Sequence, residues 1–116
     1  MRTIMGFAVI AAAMLGGVGT AAAMSRDGDA SCVDVGCGST EAFSPGQVAS
    51  WSCNDLYMAR NAIYYANGYC FKTERGIATF GNEGCRWRND GDVPMSRLER
   101  RNVDLIRREE RARGCR

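Results

Sequence analysis

The chain has 116 residues, no histidine and six cysteines, with 46% hydrophobic and 24% charged residues and a formal net charge of +2. That length holds one domain and little more. The missing imidazole excludes Ser-His-Asp and Cys-His catalysis, imidazole metal ligation and an imidazole pH switch, and the near-neutral balance argues against a strongly polyanion-seeking chain.

Met1-Arg2-Thr3 is a short, weakly positive start, and residues 4–18 follow it without a charge. Ala21-Ala22-Ala23 then offers the small residues that a signal peptidase reads. Together these match a secretory signal peptide. Residues 1–23 are therefore expected to be removed by cleavage after Ala23, with export to the periplasm or the extracellular space. The competing reading is an uncleaved anchor, because residues 3–25 carry no charge and are long enough to span a bilayer. A lipoprotein is disfavoured: the first cysteine, Cys32, lies beyond Arg26, Asp27 and Asp29.

Residues 24–50 are rich in Ser, Gly and Asp and lack a sustained period. They read as a flexible N-terminal segment, pinned at most by a Cys32–Cys37 bridge. Asp27-x-Asp29-x-Ser31 hints at a calcium loop, but Cys32 and Gly38 stand where the turn glycine and the closing Glu belong. The domain proper is expected over residues 51–116. Ser52-Cys53-Asn54-Asp55 has the form of a capped helix start. Leu56, Ala59, Ile63 and Ala66 recur at helical steps, and Asn67-Gly68 tolerates the left-handed backbone of a helix stop. This predicts a helix over about 53–67. Tyr69-Cys70-Phe71 is a short aromatic run. Residues 73–80 predict a short middle helix or turn, with Ile77, Ala78 and Phe80 as core candidates and Gly76 as a weak point. Ser96-Arg97-Leu98-Glu99 opens a second principal helix over about 97–113, stopped by Gly114. The fold class is mainly α: a small disulfide-stapled helical domain.

An even cysteine count in a short exported chain reads as a disulfide framework, and no Cys-x-x-Cys pair suggests a metal site. Helices joined by a short compact segment commonly lie antiparallel. That brings the start of the first helix to the end of the last and predicts Cys53–Cys115, with Cys70–Cys85 closing the middle and Cys32–Cys37 the N-terminal turn. No metal and no cofactor are expected.

Arg60-Asn61-Ala62-Ile63-Tyr64, followed by Gly68-Tyr69-Cys70-Phe71-Lys72, resembles the YARHG domain, a small extracytoplasmic module of bacteria. Phe80 and the Ser96/Glu99 helix start fit the later part of that pattern. The likeness is specific over residues 60–71 and loose elsewhere between Cys53 and Ile106. The chain departs from it where the motif's Arg and His are replaced by Ala66 and Asn67. The resemblance implies a place in the cell envelope and no particular reaction.

Three features are candidates for function. Arg60, Asn61 and Tyr64 sit beside the first helix's apolar stripe. They form either a pocket in which Arg60 grips a carboxylate or phosphate, or a structural set in which Arg60 pairs with an acid such as Asp104 and Asn61 satisfies loop backbone. The last helix is basic: residues 97–116 hold eight arginines against four acids, whereas residues 24–96 hold six basic residues against nine acidic ones. Arg100, Arg101, Arg107, Arg108 and Arg111 then form an anion-binding face, or a solvated face laced by the i,i+4 pairs Arg100–Asp104, Asp104–Arg108 and Glu109–Arg113. The aromatics Trp51, Tyr57, Tyr64, Tyr65, Tyr69, Phe71, Phe80 and Trp87 form either a glycan platform or, as expected for so small a domain, its core.

Catalysis rests only on scattered acids such as Glu74 and Glu83, and no catalytic residue is assigned. The function expected is a non-enzymatic binding or structural module of the envelope. Its partner would be an envelope component or another exported protein, with a weak case for an anionic surface and none for a specific nucleic acid. The alternatives are an enzyme acting on cell-wall glycans with carboxylates and an inhibitor or accessory subunit.

Overall fold

The computed structural model describes residues 29–116. The expected signal peptide and its cleavage after Ala23 lie outside the described residues. A two-residue hairpin pairs β1 (Cys32–Val33) antiparallel with β2 (Gly36–Cys37). Four helices follow: α1 (Pro45–Ala49), α2 (Cys53–Ala66), α3 (Glu74–Phe80) and α4 (Arg97–Arg113), with a 3-10 turn over Asp90–Asp92 before α4. None of the described helices is long and apolar enough to cross a membrane.

Both principal helices begin where their capping residues dictate. The Ser52 hydroxyl accepts the Asp55 amide proton at 3.0 Å, and the Ser52 amide reaches back to Asp55 at 3.4 Å. Ser96 and Glu99 repeat the arrangement at 3.0 and 2.8 Å. Each box satisfies donors that a helix start leaves open. Gly68 ends α2 at φ +86° and Gly114 ends α4 at φ +69°, values that favour glycine.

α2 buries Leu56, Ala59, Ala62, Ile63 and Tyr64, and α4 packs against it with Val103 and Ile106. The core has two lobes. One gathers Ile63, Tyr64, Phe71, Phe80, Val93 and Val103; the other gathers Phe43, Val48, Trp51, Leu56, Ala59 and Ile106. Aromatics do much of the filling: Phe71 and Phe80 stack with ring centres 5.0 Å apart, and Phe43 meets Trp51 edge-on at 5.0 Å. Tyr57, Tyr65, Tyr69 and Trp87 pack half-buried around the first lobe.

All three predicted bridges form: Cys32–Cys37, Cys53–Cys115 and Cys70–Cys85, with Cα separations of 3.9, 5.5 and 5.1 Å. The middle bridge is reinforced by backbone pairing of Tyr69 with Trp87, and by Asn82, whose side chain both donates to and accepts from Phe71.

Two expectations are corrected. Residues 29–50, read as a linker ahead of a domain starting at 51, are built into the core. Phe43 and Val48 are each 1% exposed, and Asn102 on α4 takes over the loop's backbone: its amide donates to Gly38 and Glu41 carbonyls at 2.9 and 2.7 Å, and its carbonyl accepts from Phe43 at 3.0 Å. In the middle helix Phe80 is buried as expected, but Ile77 is 46% exposed and Ala78 is also outside. The reason is Gly76. A Cβ there would meet Phe71 at 2.8 Å, so the helix docks through its glycine and turns the next two residues to solvent.

Candidate functional site

Arg60 points from α2 across to α4. Its Nε donates to one oxygen of Glu110 at 2.7 Å and a terminal nitrogen to the other at 3.1 Å. The pair is partly sheltered, with side chains 22% and 13% exposed. The fork expected to grip a ligand is therefore filled from within the chain. The partner is Glu110, not Asp104, because Asp104 faces away from α2 and is exposed. Asn61 also differs from expectation: its amide donates to Tyr57 O on its own helix, at 3.0 Å, and not to a loop.

Beside this pair, Arg107 donates to the Tyr64 phenol oxygen at 2.8 Å and lies 5.7 Å from the Tyr64 ring centre. Its nearest carboxylate, Asp90, stands off at 3.8 Å. Burial holds the Tyr64 phenol above its ordinary value, with Arg107 opposing that shift, so it stays protonated at neutral pH. Arg60, Asn61, Tyr64, Tyr69, Asp90 and Arg107 line a small polar cavity of about 70 Å³. Next to it a cleft of about 310 Å³ lies at the end of α4, lined by Arg60, Arg107, Glu110, Arg111 and Arg116 among others.

The glutamates of α4 are turned inward or sideways. Glu110 holds Arg60, and Glu109 holds Arg113 at 2.9 Å. Glu99 is 7% exposed. It accepts from the Ser39 hydroxyl, from the Asn67 amide at 3.0 Å and from the Ser96 backbone at 2.8 Å. Burial alone would raise its pKa, but these hydrogen bonds outweigh burial and hold it below the ordinary carboxylate value. Asn67 bridges α2 and α4, its amide donating to Ile63 O at 2.9 Å and to Glu99 at 3.0 Å.

What remains outward is basic. At helical spacing Arg97, Arg101, Asp104, Arg108 and Arg111 share one stripe with Arg100 beside it, and all six are exposed. Of the three i,i+4 pairs expected on this helix, Glu109–Arg113 forms; Arg100–Asp104 and Asp104–Arg108 are absent among the described residues. Arg100, Arg101, Arg108 and Arg111 thus share the outer face, while Arg60, Asn61, Tyr64 and Arg107 belong to the separate cavity.

Glu74 and Glu83, the acids available for glycan chemistry, are exposed. The nearest approach to a metal-ligating cluster among the described residues is Asp29 with Cys32 and Cys37. Both of those sulfurs are tied up in a disulfide, and Asp29 accepts from the Ser31 amide and hydroxyl at 2.8 and 2.7 Å.

The family model described as YARHG domain matches residues 32–111. That span takes in the β-hairpin, α1, α2, α3 and α4 as far as residue 111. Comparison with curated proteins and with solved structures finds no match.

Proposed function

Starting from the chain's membership of the YARHG domain family, we propose that it is an exported, non-enzymatic envelope module that docks on an anionic surface through the outer face of α4. The three disulfides and the family fit an extracytoplasmic location. The observation that supports the docking reading is the sorting of charge on α4. Its glutamates pair inward or along the helix, leaving five exposed arginines with Asp104 as the one acid among them. They span about 21 Å at 1.5 Å per residue. Their guanidiniums are solvated, and they gain from a dense negative surface without first breaking an internal pair.

The glycan-hydrolysing alternative is weaker. Its general acid needs a raised pKa in an apolar pocket with a second carboxylate facing it, and Glu74 and Glu83 are exposed.

The test is co-sedimentation with vesicles carrying phosphatidylglycerol, against neutral phosphatidylcholine vesicles, over a salt series. Binding to the anionic vesicles is expected to fall steeply with salt. At about 1 kcal/mol per arginine near such a surface, R100Q/R101Q/R108Q is expected to weaken it about 100-fold. Salt-insensitive binding, or full binding by the triple variant, would refute this reading. Hydrolysis of cell-wall glycans by the purified protein, lost on E74Q or E83Q, would replace it with the enzymatic one.

A further inference from the structure

We infer that the polar cavity between Arg60 and Arg107 is a binding site for a small hydroxy-carboxylate, its carboxylate held by Arg107 and its hydroxyl given to the Asn61 carbonyl. The site is separate from the outer face of α4 and would hold whether or not that face docks on a surface.

Four observations carry it. Arg60 cannot be the main grip, because Glu110 already occupies two of its donors. Arg107 can. Among the described residues it makes one hydrogen bond, to the Tyr64 phenol, and one ion pair, to Asp90 at 3.8 Å on an exposed 3-10 turn. A guanidinium prefers two short parallel bonds to a carboxylate, so Asp90 marks the kind of group that belongs there without supplying it. The Tyr64 oxygen accepts from Arg107, which leaves its own proton free to donate. Lastly, Asn61 is only 7% exposed. Its amide is committed to Tyr57 O, and its carbonyl accepts no hydrogen bond from any described residue. Buried acceptors are rarely left without a donor.

The cavity therefore offers donors from Arg107 and Tyr64 and one orphan acceptor from Asn61. A plain carboxylate answers the donors and leaves the acceptor unmet, and a neutral alcohol leaves the charge unused. A carboxylate with a neighbouring hydroxyl answers both. At about 70 Å³, the cavity has room for such a group, and the adjoining cleft of about 310 Å³ can take whatever the group is attached to.

The experiment is an NMR titration of the oxidised protein with lactate, acetate and inorganic phosphate as separate probes, following the Arg107 Nε–H and the Asn61 side-chain amide. Lactate is expected to give saturable shifts at both groups and to bind about tenfold tighter than acetate, the worth of one hydrogen bond to a buried group. R107Q should abolish the shift at the Asn61 amide. D90N removes the competing carboxylate and should tighten lactate binding several-fold, a gain that a merely unfolded variant could not show. R100Q/R101Q/R108Q should bind lactate as the unaltered protein does, which separates this site from vesicle docking. Equal binding of lactate and acetate, tighter binding of phosphate than of lactate, or shifts confined to the outer arginines would each overturn the assignment.

Discussion

The two faces of α4 carry the same kinds of residue and use them in opposite ways. On the inner face Glu99, Asn102 and Glu110 each have partners set by geometry. Asn102, fully buried, makes three hydrogen bonds to a loop about sixty residues away in sequence. Glu99 gathers Ser39, Asn67 and its own cap, and Glu110 takes both prongs of Arg60. On the outer face five arginines stand in water around Asp104. Buried polar groups must be matched or they destabilise the fold, whereas exposed charges contribute little to it. Matching therefore marks residues that specify the fold, and its absence marks residues free to meet something else.

That contrast can be broken or sharpened by measurement. The largest effect should come from the covalent tie between the start of α2 and the end of α4. Its separation is 62 residues, and opening it with C53S/C115S is expected to lower stability by about 4 kcal/mol, read by denaturant unfolding of the oxidised proteins. Asn102→Ala should follow at about 3 kcal/mol, since it strands one buried N–H and two carbonyls. A loss below about 1 kcal/mol would mean that the inner face tolerates mismatch, and the contrast would fail. Gly38→Ala tests the loop that Asn102 holds by volume: a Cβ there would lie 2.5 Å from Ile63, and overpacking of this kind costs about 1–3 kcal/mol.

A smaller effect, confined to acid, should come from Glu99. Its folded pKa is depressed, so its contribution is complete above the ordinary carboxylate pKa and is lost as pH falls through the folded value. Unfolding measured from pH 7 downwards should show a shallower acid limb in Glu99→Gln; an unchanged limb would assign the acid response to other carboxylates such as Asp29, whose pKa is also lowered. The smallest effect should be that of R100Q/R101Q/R108Q on stability, within about 0.5 kcal/mol per site. A larger loss would show that the outer face serves the fold after all.

Much of the architecture could be read from local chemistry. The Ser52/Asp55 and Ser96/Glu99 boxes fixed two helix starts, the glycine stops fixed their ends, and an antiparallel arrangement then paired all six cysteines. What escaped was non-local. Residues 29–50 look like a linker because their backbone partners sit on Asn102, far along the chain. Yet Ser44-Pro45-Gly46-Gln47 was a readable start for α1, with Ser44 and Gln47 capping each other at 3.1 Å. Glu110 was also within reach. Counting along two antiparallel helices from the Cys53–Cys115 bridge brings Arg60 to about residue 108, and Glu110 is the acid there that shares the inward face with Ile106. The cavity's orphan carbonyl had no signal in the sequence, because it depends on which way one amide turns.

The nesting of the bridges has a consequence for a protein exposed to proteases. Cys70–Cys85 lies wholly inside the loop closed by Cys53–Cys115, and Cys32–Cys37 lies outside it. Arg86 and Arg88 are exposed between the inner loop and α4. A cut after either leaves two polypeptides that cannot separate: the nicked molecule migrates as one species until a reductant is added. A cut between Cys37 and Cys53 instead leaves the N-terminal hairpin without a covalent tie, held by its packing and by hydrogen bonds such as those from Asn102. Scission on one side of Cys53 is thus bridged by a covalent bond, and on the other side it is resisted by packing alone.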